Sequence, residues 1–407
     1  MNFEVENIYG NTHKNAVTVS VEGSKSITAR ALLIAALANG ESKLFGAQFS
    51  DDCTTFINCL RELGIKIEVK DGVVSVEGCN GVIPRKKATI NVGSAGTAAR
   101  FLPAMLAFQD GEYTLESSEQ MKSRPIAPLI KTLTEIGAKF EFHGKENSYP
   151  FTIRGTKTPK LSAVVNIDES SQFLSGLLLS AVCAKKPFKV KVEGSHGFDY
   201  VNMTINCAWS FGVNIEENGG VYTVCGGYTA KRYEIEPDVS AACYFYAMNK
   251  ILGTDIRVKG VMPHSMQGDI KFINLLKTFD GGKVDMSGFS DQALTLAAIA
   301  PYLSKPTEIC NVAHIRKQEC DRISAIATNL KALNVKCEER ADGIIIYPSK
   351  PQGVKLKTFG DHRVAMSFAV TGLRADGIII ENAEVCSKTF KGYFEVLEKL
   401  CKSLKNM

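Results

Sequence analysis

Six stretches of the chain share one pattern, a small or charged polar opening followed by an apolar run of helix length. They are SKSITARALLIAAL from Ser24, SAGTAARFLPAML from Ser94, SSQFLSGLLLSAV from Ser170, VSAACYFYAMNKIL from Val239, SDQALTLAAIAPYL from Ser290 and GDHRVAMSFAVTGL from Gly360. Their openings recur roughly every 70 residues, with one shorter gap of about 50, which predicts a sixfold architecture made of two sets of three. A helix apolar on nearly all sides has to be buried, whereas a surface helix shows a single stripe.

Striped helices follow the buried runs. In SRPIAPLIKTLTEIGAKF the residues Ile126, Leu129, Ile130, Leu133 and Ile136 share a face, and in DRISAIATNLKALNVKC so do Ile323, Ile326, Leu330 and Leu333. Several striped helices are followed by alternating strands about a tight turn: KIEVKDGVVSV with Asp71-Gly72, NIEENGGVYTV with Asn218-Gly219, and KCEERADGIIIYP with Asp342-Gly343. The unit that repeats is strand, buried helix, strand, striped helix, hairpin, and three of about 70 residues make a domain of about 200.

Composition adds a class. Of 407 residues, 45% are apolar and 22% charged, which suits a soluble globular enzyme or binding protein, and a net charge of +5 without a long basic block gives no footing for nucleic acid. The twelve cysteines form no CxxC pair and no cluster at metal-ligand spacing, so reduced, mostly buried thiols are expected. The N-terminus lacks a signal-peptide core and no apolar run reaches the roughly 20 residues of a membrane span, which makes the cytoplasm the expected location.

The chemistry gathers where the buried helices begin. A helix N-terminus offers unpaired N–H groups and about half a positive charge. With Lys25, Arg30, Arg100 and Arg363 beside such openings, the expected ligand carries phosphate or carboxylate groups. GSKS is not a nucleotide-binding P-loop, because Ser24 and Val19 stand where that motif requires glycine. Gly93 and Gly96 let backbone approach a ligand, and Gln172 offers both donor and acceptor beside Ser170 and Ser171. N-capping would account for Asp291, yet a carboxylate among cations stays ionised and can act as a general base. HIRKQECDR packs His314, Arg316, Lys317, Gln318, Glu319, Asp321 and Arg322 into nine positions, which fits either a solvated face or a site.

Taken in order, these segments resemble the 5-enolpyruvylshikimate-3-phosphate synthase family over nearly the whole chain. GSKSITARALLIAALA is similar to the family's GSKSxxxRAL motif, SAGTAARFL to (N/S)(A/S)GTxxR, RPIAPL to RPI/RPM, and SSQFLSGLL to its serine-serine-glutamine segment; PDVSAACYF, SDQALT, QECDRI, GDHRVAM and SKTFKGYF complete the series. The resemblance implies an α/β enolpyruvyl-transferase fold, an inverse α/β barrel in which each of two domains has three repeated units around buried parallel helices. Domain I would be discontinuous, residues 1–22 plus 237–407, domain II would span 23–236, and the active site would lie in the cleft between them. The implied reaction transfers the enolpyruvyl group of phosphoenolpyruvate to the 5-hydroxyl of shikimate 3-phosphate and releases phosphate, as a step of aromatic amino-acid biosynthesis. It implies no metal, no cofactor, no nucleic-acid or membrane partner, and a monomer.

Residue by residue, the resemblance makes Asp291, Glu319 and Lys25 catalytic. It assigns shikimate 3-phosphate to Lys25, Ser26, Arg30, Ser170, Ser171, Gln172, Ser195, Tyr200, Asp291, His314 and Gln318. It assigns phosphoenolpyruvate to Lys25, Gly96, Arg124, Gln172, Arg322, Arg363 and Lys388. Departures from the commonest pattern are Glu22 for proline, Ser94 and His314 for asparagine, and Gln318 for a lysine, and SHGFDYVNMT is about two residues longer than the usual segment. The sister transferase acting on UDP-N-acetylglucosamine typically carries a cysteine shortly before the arginine matching Arg124, and DGEYTLESSEQMKSR has none. A non-catalytic binder of phosphorylated metabolites is the other alternative, and it would gain nothing from Asp291 and Glu319.

Overall fold

The six apolar runs are helices with almost no face toward solvent. In the computed structural model, which describes residues 1–195 and 197–405, every residue of Ala98–Ala107, Ala293–Ile299 and His362–Gly372 is buried, as is every residue of Lys25–Leu37 after Ser26. The helices Gln172–Ser180 and Val239–Leu252 are buried along most of their length. Contacts divide the chain into two units, Gly23–Glu236 on one side and Met1–Glu22 with Pro237–Met407 on the other.

Within Gly23–Glu236, three four-stranded sheets repeat one order. Lys87–Asn91 pairs parallel with Glu112–Glu116, which pairs antiparallel with Phe151–Arg154, itself paired to Lys139–Phe142. Ser162–Asn166, Phe188–Glu193, Val221–Val224 and Ile215–Asn218 repeat that arrangement. In the remaining sheet the first position is filled from the far end of the unit, because Arg232–Glu234 lies parallel to Asn39–Phe45 with Arg232 opposite Lys43. In the first two of these sheets the buried helix connects the parallel pair, in the third Lys25–Leu37 leads into Asn39–Phe45, and striped helices at Asp51–Glu62, Ala127–Glu135 and Phe198–Ser210 form the outer layer.

The other unit keeps one complete sheet, Gly282–Asp285, Thr307–Cys310, Gly343–Ile346 and Cys337–Arg340 in the same order. Its other two sheets are reduced. Phe3–Val5, Ile378–Ile380 and Lys355–Leu356 make one, and Val17–Val19 with Ile256–Val258 the other. The expectation of a hairpin in every repeat therefore does not hold here.

The turns differ in detail from their sequence signals. Asp71-Gly72 takes left-handed angles as expected. In the second hairpin the left-handed pair is Gly219-Gly220, one residue later than Asn218-Gly219, because Asn218 stays in the ladder opposite Val221. The third turn is Ala341-Asp342, with neither residue left-handed. Gly343 is needed there for another reason, since a Cβ on it would lie 2.0 Å from the Ile309 carbonyl oxygen of the neighbouring strand.

Candidate functional site

The opening of the Lys25–Leu37 helix is held by its neighbours. The Ser24 hydroxyl accepts from the Ile27 N–H at 3.4 Å as N-cap. Lys25 donates to Asp52 at 3.1 Å, a carboxylate in the first turn of the following helix. The buried Gln48 donates to the Gly23 carbonyl at 3.3 Å and accepts from the Ser50 hydroxyl at 2.6 Å, pinning the loop behind the motif. Ser26 is half-buried.

Arg30 is 1% exposed. Its Nε donates to Thr204 Oγ1 at 2.8 Å, one terminal nitrogen to the Ser26 carbonyl at 2.9 Å, and the other to the Tyr200 carbonyl at 3.0 Å. Phe101 lies 5.5 Å from the guanidinium, and burial lowers its pKa. A side chain committed this fully fixes Ser26 and Tyr200 relative to each other. Arg100 is built alike, donating to the Pro125 carbonyl at 2.8 Å and to the Gly96 carbonyl at 3.4 Å. It thereby ties the Gly96 turn to the segment carrying Arg124. A Cβ on Gly96 would meet the Arg124 guanidinium at 3.2 Å, so glycine leaves room for that cation to lie flat on the turn.

At the third opening, the Ser170 hydroxyl accepts from the Gln172 N–H at 3.2 Å and Ser171 is buried. The Gln172 amide takes no hydrogen bond among the described residues, which leaves its donor and acceptor for a ligand. Ser195 is exposed and Tyr200 half-buried in the first turn of the Phe198–Ser210 helix.

The second unit holds an ion-pair lattice. Arg322, 2% exposed, donates to Asp361 at 2.7 Å, to Asp291 at 3.0 Å and to Glu319 at 2.9 Å, and also to the Gln318 side-chain oxygen. Arg363 reaches the second Asp291 oxygen at 2.8 Å, and Lys388 the second Glu319 oxygen at 3.1 Å. Burial opposes the Arg322 charge, but Asp361, Glu319 and Asp291 outweigh it and raise the guanidinium pKa. His314 Nε2 lies 2.7 Å from the Ser290 hydroxyl, on the turn that carries Asp291.

Asp291 is not a helix cap. The fifth apolar run is broken, with a 3-10 turn over Ser287–Gln292 that kinks at Phe289, an α-helix over Ala293–Ile299, and another 3-10 turn at Ala300–Tyr302 containing Pro301. Gln292 takes the cap position, so both Asp291 oxygens turn to the arginines. The HIRKQECDR run separates into two faces: Arg316 pairs with Asp321 and Glu339 on the outside, while Glu319 and Arg322 point inward.

Sequence reasoning missed Asp52, Gln48, Asp361 and the buried Asp269. It also missed Tyr244, whose buried hydroxyl lies beside Arg363 and whose pKa burial raises. The GDHR motif placed Asp361 at a helix opening, and its carboxylate does cap the Arg363 N–H at 2.8 Å while also holding Arg322. Among the described residues no group of three or more His, Cys, Asp or Glu could hold a metal ion, and no helix is long and apolar enough to cross a membrane.

The buried cations of the second unit, interleaved with carboxylates at helix openings, suit an anionic ligand that also needs proton transfer. Comparison with known proteins gives the family. The family described as EPSP synthase (3-phosphoshikimate 1-carboxyvinyltransferase) matches residues 11–282 and 277–397. The chain belongs to the EPSP synthase family. A 3-phosphoshikimate 1-carboxyvinyltransferase of Trichormus variabilis is 40% identical over 402 residues, covering 93% of this chain and 94% of that protein. A Halalkalibacterium halodurans relative named 3-phosphoshikimate 1-carboxyvinyltransferase 2 is 35% identical, with coverage of 94% and 91%. The EPSP synthase structure from Acinetobacter baumannii superposes with TM-score 0.81 at 23% identity over 98% of both chains. The enolpyruvyl transferase NikO from Streptomyces tendae gives 0.73 at 15%, over 98% of this chain and 96% of its own. The α/β fold is thus that of the enolpyruvyl transferases.

Proposed function

We infer that this EPSP synthase family member is a 3-phosphoshikimate 1-carboxyvinyltransferase. It transfers the enolpyruvyl group of phosphoenolpyruvate to the 5-hydroxyl of shikimate 3-phosphate in the shikimate pathway, with a cytoplasmic location as the expectation for a biosynthetic enzyme. The observation that carries the site assignment is the lattice in which Asp291 and Glu319 each share Arg322 with a second cation, Arg363 or Lys388. An arriving anion that takes over the cations would leave these carboxylates to handle protons.

The reaction needs three events. The 5-hydroxyl loses its proton to Asp291 as its oxygen bonds to C2 of the enolpyruvyl group, and C3 gains a proton from Glu319 or Lys25. The tetrahedral intermediate then loses a proton from C3 and expels phosphate, restoring the double bond. Arg124, Arg322, Arg363 and Lys388 would hold the phosphate and carboxylate of phosphoenolpyruvate, with Gly96 giving close approach, and would stabilise charge as phosphate departs. Ser26, Ser170, Ser171, Gln172, Ser195, Tyr200, His314 and Gln318 would hold shikimate 3-phosphate, Lys25 and Gln172 touching both substrates. Arg30 would belong to the same set and also positions Ser26 and Tyr200.

The test is phosphate release from phosphoenolpyruvate with shikimate 3-phosphate or UDP-N-acetylglucosamine as acceptor. Turnover with shikimate 3-phosphate alone is expected. Turnover only with the nucleotide sugar, or with neither, would refute the assignment.

A further inference from the structure

Behind Asp291 lies a second carboxylate that neither ion pairing nor capping accounts for. Asp269 is 4% exposed and occupies the N-cap position of the Ile270–Leu276 helix, yet its side chain makes no capping hydrogen bond. It turns inward instead. Its Oδ2 accepts from the Ser240 hydroxyl and, at 2.8 Å, from the Gln292 amide. Gln292 is fully buried, and its Oε1 accepts from Thr295 Oγ1 at 3.0 Å; that hydroxyl lies 3.3 Å from Ser367 Oγ. One polar chain therefore joins the helices Val239–Leu252, Ala293–Ile299 and His362–Gly372 just beneath the openings that carry Asp291 and Arg363.

No cation lies within ion-pair distance of Asp269 among the described residues, although a buried carboxylate is costly without one. The groups facing it are Ser240 and Cys243 from one side, with Asp238 near Cys243, Asp291 and Gln292 from the 3-10 turn, and Arg363 from the third helix. Burial, with the Asp291 charge as a second cause, pushes the Asp269 carboxyl up to about 6, against the opposing pull of Arg363 and its two hydrogen bonds.

We propose that Asp269 is a positioning residue of the transfer reaction: through Gln292 it fixes the turn that presents Asp291, and its charge keeps Asp291 basic beside Arg322 and Arg363. Two arginines alone would make Asp291 a poor proton acceptor. A like charge in the same low-dielectric interior restores part of its proton affinity, and the bond from Gln292, the residue after Asp291, tethers the turn to Asp269. The inference rests on the transfer reaction assigned above and deepens it.

The experiment compares the full-length enzyme with Asp269→Asn, which keeps the shape of the side chain. Phosphate release is followed from pH 5 to 9 with both substrates varied, beside a thermal melt. The wild-type kcat is expected to show a partial step of about threefold centred near pH 6, as Asp269 gains its charge. Asp269→Asn should lack the step and run at the lower level, with both KM values within about twofold of wild type and an unlowered Tm. Ser240→Ala keeps the carboxylate but removes a donor to its ionised form, so the step should move to higher pH. An Asp269→Asn profile that superposes on an active wild type, or activity lost only in proportion to Tm, would overturn the inference. A wild type inactive with shikimate 3-phosphate would overturn the reaction assignment first, and is told apart because no variant is needed to see it.

Discussion

Asp291→Asn should separate binding from turnover. Around Arg322 the structure counts three cations, Arg322, Arg363 and Lys388, and three carboxylates, Asp291, Glu319 and Asp361, so the lattice is close to neutral. The variant removes one negative charge without changing shape. An anion seated on Arg322 and Arg363 would stand roughly 5 Å from the lost charge, where Coulomb's law at an effective dielectric near 20 gives about 3 kcal/mol. Solvent at this partly exposed group reduces that to about 1–2 kcal/mol, or roughly a tenfold tighter Kd for phosphoenolpyruvate in titration calorimetry. Turnover moves the other way, because losing a positioned general base costs about 10²–10⁴ in kcat, on the order of 3–5 kcal/mol of barrier. The fold should survive, since Arg322 keeps Asp361 and Glu319. Equal losses of affinity and kcat would refute the reasoning, for they would make Asp291 a scaffold for the arginines rather than their competitor. Unchanged kcat would remove it from the chemistry.

Three further outcomes follow from the geometry. Gly96→Ala puts a methyl 3.2 Å from the Arg124 guanidinium, the movable end of a side chain; Tm should change little while KM for phosphoenolpyruvate rises severalfold. Arg30→Lys forfeits most of the donors that hold Thr204 and the carbonyls of Ser26 and Tyr200 and should cost about 2–4 kcal/mol in denaturant unfolding, with a higher KM for shikimate 3-phosphate and not for phosphoenolpyruvate. Asp269 binds its proton more tightly folded than unfolded, from 3.8 to about 6, so its contribution to stability falls as pH rises through that window. Asp269→Asn should therefore stabilise the enzyme at pH 8 by up to about 3 kcal/mol, two pH units at 1.36 kcal/mol each, and by little at pH 4, as chemical unfolding at the two pH values would show.

The six helix openings were legible because a buried helix forbids stray polar residues, so Lys25, Gln172, Asp291 and Arg363 stood out against apolar runs. Partners were not legible, since pairing is set by tertiary approach: Lys25 meets Asp52 27 residues away, and Arg322 meets Asp361 39 residues away. Asp269 was hidden more deeply. A local reading of GDIKF gives an ordinary helix cap, and only the fold shows the carboxylate turned inward to Gln292. The fifth run read as one helix because its apolar pattern is unbroken, while the Phe289 kink that frees Asp291 from capping is a backbone event without a residue signature.

The cations named from sequence divide into two kinds, and the division bears on mechanism. Arg30 and Arg100 donate to backbone carbonyls and hydroxyls of their own unit, so they build the openings. Arg322, Arg363 and Lys388 are held by carboxylates instead. Leaving three buried cations unpaired before substrate arrives would cost several kcal/mol, and Asp291 and Glu319 relieve that cost as built-in anions. On the proposed assignment, phosphoenolpyruvate would take their place, and its phosphate and carboxylate would meet hydrogen-bond donors already oriented, which need no rearrangement as charge develops. That exchange would weaken the hold of the cations on the carboxylates, and a carboxylate less tightly held by its arginine is a stronger base. The same exchange that binds the donor substrate would thereby arm the groups proposed to move the protons.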